Sequence, residues 1–346
     1  MAYTTIKKST DYFNTKLWTG TGSSNALTGV GFQPDWTWIK NRTDANSHVL
    51  QDAVRGVGNT IISNNTDAQS AEGAGDLTAF GSDGFTVGTN GRVNGSGKNM
   101  VAWNWKAGTT GSGTTGGSGT AKAYSYSVNT TSGFSIVKYA GNGTAGHTIP
   151  HHLGTVPKVV IIKDLSDNEN WTGHFGALND PEKVLYLNST DANTNQSGAF
   201  NTTTPTSSVF TLGTANLTNN ATHDYIAYCF TDVQGFSKFG SYTGNGNADG
   251  TFVYTGFKPA FVILKNASSA QDWSMKDNKR PGYNVTDDIL YPNGNYAEGS
   301  GGDIDIVSNG FKIRTTAANT NGSGNTFIYM AFAEEPLVGD NPATAR

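Results

Sequence analysis

One short phrase is written three times in this chain: "GFQPDWTWIKN" at 31–41, "GTVPKVVIIKD" at 154–164 and "GFKPAFVILKN" at 256–266. A phrase repeated with its surroundings marks a repeated building block, which constrains the fold before any other feature does. In every copy a Gly opens a turn, a Pro follows, then an apolar run, then a Lys: Pro34 to Lys40, Pro157 to Lys163 and Pro259 to Lys265. Proline cannot donate to a ladder and suits the first residue of a strand. The runs 159–162 and 261–264 are apolar on both alternating faces. That pattern fits a strand covered on both sides or a buried helix segment. β-Branched content and short length favour the strand, with Ile162 and Leu264 in the core. The Lys is expected to end the strand and reach solvent.

The repetition extends beyond the phrase. His48, Trp171 and Trp273 follow the three Lys residues, and "DGFTVG", "SVFTLG" and "NGFKIR" centre on Phe85, Phe210 and Phe311. Each copy closes with an aromatic-rich run, "MVAWNW" (100–105), "YIAYCF" (225–230) or "IYMAFA" (328–333). Each opens with an aromatic and a Gly-x-Gly turn, "WTGTG", "YAGNG" or "YTGNG". Three units of about 100 residues follow, a normal domain size. Gly, Asn, Thr and Ser fill the segments between apolar runs, and these are turn and strand residues. Only "SHVLQDAVRG" (47–56) reads as one or two helical turns. The expected fold is mostly β, as three tandem β-sandwich or jelly-roll-like domains.

The expected organisation is a polar arm at 1–17, repeat one at 18–107 and a flexible Gly/Ser/Thr linker at 108–121. Repeat two at 122–236, repeat three at 237–336 and a polar tail at 337–346 complete it. With no linker between them, units two and three should pack as a rigid pair, leaving unit one more independent.

A net charge of -4 argues against a nucleic-acid binder, which needs a basic face. No 18-residue apolar stretch predicts membrane insertion, and "MAYTTIKKSTDYFN" has no apolar core of a signal peptide. Cys229 is the single cysteine, placed within a strand and read as a small buried hydrophobe.

Candidate chemistry is sparse. "GNGTAG" at 141–146 satisfies the dinucleotide pattern in letters, but "HTIPHHLGTVP" after it is a poor helix start, so no cofactor is expected. His147, His151 and His152 are close enough in sequence to be weak metal candidates, against the plainer reading of a polar turn. The carboxylates in "DNEN", "DPE", "DD" and "DIDI" offer no outstanding pair, and no enzyme is expected. Tyr283, Tyr291 and Tyr296, in the loop-like run 279–299, are candidate ligand-binding residues. Their rings suit stacking on sugars, beside the plainer reading that they pack on a neighbouring unit or chain.

The opening "MAYTTIKKSTDYFNTKLWTG", the phrase "SGFSIVKYAGNGTAGHTIPHHLGTVPKVVIIK" and the ending "MAFAEEPLVGDNPATAR" carry a resemblance. With the repeats, they resemble a family of repeat-bearing structural proteins of tailed bacteriophages, many of them marine phages. This copy has His152 where Gly is common. The resemblance implies a virion protein assembled in the host cytoplasm and transfers no functional residue. The first expectation is a tail or head fibre, a homotrimer joined to other virion proteins by its N-terminal arm and contacting a host cell-surface glycan. A capsid or tail decoration protein without ligand is the second reading, and a polysaccharide-degrading tailspike the third.

Overall fold

A computed structural model describes residues 4–338. The chain is mostly β, and its paired strands are antiparallel throughout. The repeated phrase forms the strands Trp36–Asn41, Val159–Asp164 and Phe257–Asn266. Each lies beside its unit's closing aromatic strand, Asn99–Trp105, Asp224–Phe230 or Thr326–Pro336. That strand pairs on its other side with the opening strand, Phe13–Thr19, Phe134–Ala140 or Ser237–Thr243. The fourth neighbour is Val49–Asp52, Thr172–Phe175 or Ser274–Asp277. A smaller sheet accompanies each of these and contains Gly84–Val87, Val209–Leu212 or Gly310–Ile313.

The two-faced apolar pattern now has its cause. Val160 and Ile162 face a core beneath the small sheet of unit two, while Val159 and Ile161 face a core shared by all three units. Trp36 and Trp38 of unit one enter the shared core, while Ile39 enters that unit's own. In the shared core Trp36 stacks on Tyr228 at 4.4 Å, Phe13 on Phe332 at 5.3 Å, and Phe230 meets Phe332 edge-on at 5.8 Å. These contacts join unit one to two, one to three and two to three. Each such pair adds about 0.5–1.5 kcal/mol beyond burial. Unit one is therefore no more independent than the others.

The polar contacts run in a cycle. Trp171 Nε1 of unit two donates to Ile62 O of unit one at 2.8 Å, and Trp273 Nε1 of unit three donates to Tyr186 O of unit two at 3.0 Å. Arg42 of unit one closes the circle through Glu298 of unit three, at 2.9 Å from both carboxylate oxygens.

Several expectations are corrected. Lys40, Lys163 and Lys265 do not reach solvent; all three are fully buried. Lys163 Nζ donates to the carbonyls of Asp164, Thr66 and Glu169 at 2.8, 3.0 and 3.0 Å, and Lys265 Nζ to Gln271 and Thr190 at 2.6 and 2.9 Å. Thr66 and Thr190 belong to the preceding unit, so the Lys that ends one strand ties down the loop of its neighbour. Residues 47–56 are not helical: Val49–Asp52 is a buried strand because its side chains are covered on both faces.

The segment 108–121 is not a free linker. Thr109–Thr114 pairs with Ala123–Asn129, and Gly116–Gly117 with His147–Pro150. Its glycines make room for rings, since a Cβ on Gly111 or Gly113 would lie 2.6 or 2.9 Å from the hydroxyl of Tyr126 or Tyr124. Of the expected arm, Ile6 is buried in the shared core and Phe13–Thr19 is a strand, so residues 4–17 belong to the folded body. The expected tail lies outside the described residues beyond Val338.

Candidate functional site

The tyrosine-bearing run of unit three begins at a rigid anchor. Arg280 is buried against Asp277 at 2.6 Å and Glu298 at 2.8 Å. Burial works against the Asp277 carboxylate, yet the Arg280 guanidinium holds it below the ordinary range. Asn293 accepts from the Trp273 amide at 2.9 Å, and Pro292 O accepts from Ser63 of unit one at 2.7 Å. The run is thus the clasp of unit three on unit one, and its polar anchors leave some rings outward.

Tyr283 is 82% and Tyr296 58% exposed. Tyr291 is half-buried, and burial, then Asp272 and Tyr296, push its phenol up. The structure brings Tyr291 and Tyr296 together edge-to-face at 5.9 Å. Tyr283 has no ring contact with that pair, so the three predicted residues form one pair and one separate ring.

Sequence reasoning missed a second aromatic surface. Phe252 and Tyr254 are exposed on the strand Phe252–Tyr254, an edge of its sheet, while Val253 between them is buried. Register places them level with Ala26 and Thr28 in unit one and with Thr148 and Pro150 in unit two. The shared fold therefore does not require rings there. The period-two alternation in "FVY" was the available signal.

The three histidines of "HTIPHH" are separately engaged. His147 contacts Asn219 Oδ1 at 3.0 Å and Thr115 Oγ1 at 2.7 Å, and His151 contacts Thr206 O at 3.1 Å. His152 stacks on Tyr126 at 3.7 Å and contacts the Tyr124 hydroxyl at 3.0 Å. Its φ of 59° lies in the left-handed region, which explains why Gly suits the position. Among the described residues no group of three His, Cys, Asp or Glu is placed to hold a metal ion. The "GNGTAG" turn leads into the strand His147–Pro150. In "DIDI" Asp303 and Asp305 lie on the more exposed face, alternating with buried Ile304 and Ile306.

A family model described as a domain of unknown function (DUF7483) matches residues 8–336. The chain belongs to this family. No curated protein and no solved structure matches it.

In this DUF7483 chain the three Gly-x-Gly turns share one lock. Asn94, Asn219 and Asn321, all buried, accept from the amides of Thr21, Asn142 and Asn245 at 3.0, 2.9 and 2.9 Å. A Cβ on Gly20, Gly141 or Gly244 would lie 2.2, 2.2 or 2.4 Å from a backbone oxygen beside that Asn. The recurring Gly-x-Gly is thus explained by packing of turn against turn.

Proposed function

We propose that this chain is a structural protein of a tailed-phage particle, displayed as a tail or head fibre that contacts the host surface. The observation that carries the reading is exposed rings on a body closed by a shared aromatic core: Tyr283 and Tyr296 stand outward from a run tied to unit one at Pro292 and to Asp277 of its own unit at Arg280. Rigid, partly exposed aromatics stack on sugar faces with little ordering cost, and neighbouring Asn and Asp fix orientation. The same proposal reads the three units as tandem β-sandwich, jelly-roll-like domains, assembled in the host cytoplasm without disulfides and joined as homotrimers to other virion proteins.

One observation favours the second reading, a capsid or tail decoration protein without ligand. Residues 4–17 pack into the body, which removes most of the free N-terminal arm a fibre would attach by.

The test is a Tyr283→Ala, Tyr296→Ala variant, first shown to unfold like the parent. The fibre reading expects host-cell adsorption to fall about tenfold or more, because many weak contacts act together. Unchanged adsorption, with the chain seen by electron microscopy flat on the capsid or tail, selects decoration.

A further inference from the structure

The repeat supplies its own control. The strands Val49–Asp52, Thr172–Phe175 and Ser274–Asp277 occupy matching places, so their last residues Asp52, Phe175 and Asp277 correspond. Three residues on stand Arg55, Leu178 and Arg280. In units one and three the Arg is buried on its Asp at 2.6 Å, and the same Asp accepts from the next unit. Tyr228 donates to Asp52 at 2.7 Å, and Trp103 Nε1 to Asp277 at 3.0 Å.

Unit two has Phe175 and Leu178 instead, and a cleft of about 450 Å³ lies where unit two meets unit three. Its walls include Leu178, Asn179, Lys183 and Asn193 from unit two and Ser268 and Thr326 from unit three. The volume falls within the roughly 300–1,000 Å³ of ligand sites. Beside Asn179 a second cleft is lined by His174, Asp180 and Thr204. His174 is buried with both ring nitrogens unpartnered, whereas its counterparts are satisfied. Gln51 bonds Thr60 at 2.8 Å, and Lys276 bonds Asp287 O at 2.9 Å.

We infer that the junction cleft between units two and three binds a short carboxylated saccharide, with Lys183 meeting the carboxylate. Hydroxyl and amide groups dominate the walls and match sugar hydroxyls in both donor and acceptor sense. Ala177, Leu178 and Ala267 give a small apolar floor for a ring face. Lys183 is the cationic side chain of the cleft and, among the described residues, enters no ion pair, so it is free to form a charge-assisted bond with an anion. The site is separate from the tyrosine run and does not rest on a phage role.

The test uses the full chain with trigalacturonate as probe and maltotriose as the uncharged control, followed by calorimetry and amide NMR. Trigalacturonate is expected to bind about tenfold or more tighter than maltotriose, to weaken with added salt, and to shift the resonances of Asn179, Asn193 and Ser268. Lys183→Met should abolish the preference. Leu178→Arg, which restores the residue of the other two junctions, should abolish binding by filling the cleft. If Leu178→Arg fails to fold, Lys183→Met at the half-buried rim still decides the matter. Equal affinity for the two sugars, an unchanged Lys183→Met variant, or shifts confined to other surfaces would overturn the assignment.

Discussion

The junction of units one and two and the junction of units two and three are made from matching strands, yet they are sealed differently. The first buries Arg55 on Asp52 beneath Tyr228, and the second sets Phe175 against Trp273 at 5.8 Å. A buried ion pair repays its desolvation only when its remaining hydrogen-bonding groups are also satisfied. Arg55 meets that demand through Asn59 O at 2.8 Å and Gln69 at 3.2 Å. The apolar version needs no such partners, so it tolerates a cleft beside it. The comparison teaches that the ring can close without the ion pair, and that the pair's role is to fill and fix two of the three junctions.

The largest effect should come from halving a pair. Arg280→Leu leaves Asp277 buried without its cation and should cost about 3–5 kcal/mol in urea unfolding. A loss below 1 kcal/mol would show that the pair is a bystander. Next come the core aliphatics that all units share: Ile162→Ala and Leu264→Ala should each cost about 2–5 kcal/mol, and parent-like melting of either would break the two-core description.

Third is acidity. Burial pushes His174 down to about 4, below its unfolded value of 6.5. Between those values the unfolded chain binds the proton first. The His174 contribution is therefore complete above pH 6.5 and is lost as pH falls toward 4, a loss of about 3 kcal/mol. His174→Gln, which copies unit one, should flatten that slope in unfolding measured at pH 7.5 and 4.5. An unchanged slope would place the acid sensitivity at the other histidines.

Lys163→Met follows, at about 1–3 kcal/mol, because it strands carbonyls of two units that the ammonium now serves. Burial pushes that ammonium down to about 8, but its carbonyl contacts keep it useful in the fold. The smallest effect should be the double swap Asp52→Phe, Arg55→Leu, which gives junction one the residues of junction two. It should fall within about 1–2 kcal/mol of the parent, whereas Arg55→Leu alone should cost more. Equal losses for the single and the double would mean that the apolar seal depends on more than these two positions.

Much of the fold was readable because β structure writes its period into the chain. The Pro-to-Lys phrase and the aromatic runs became adjacent strands in all three units, and Cys229 is buried as expected. The candidate site was only partly readable. Tyr283 and Tyr296 are exposed, but Tyr291 is half-buried, and Phe252 and Tyr254 stood out only once the edge strand was known.

The sequence by itself determined that one strand-forming phrase recurs three times, where those repeated strands run and which side chains are apolar, since these follow from local periodicity and turn chemistry. Only the tertiary structure decided that the units close on a common core, that Gly-rich residues 109–114 extend a sheet, and that strand-ending lysines are buried. A Lys at the end of an apolar run looks solvent-bound from its own neighbours. Lys163 and Lys265 bond nearby carbonyls, but each also donates to a loop of the preceding unit, Thr66 at a separation of 97 residues and Thr190 at 75, and no local pattern records which loop will arrive to accept those hydrogen bonds.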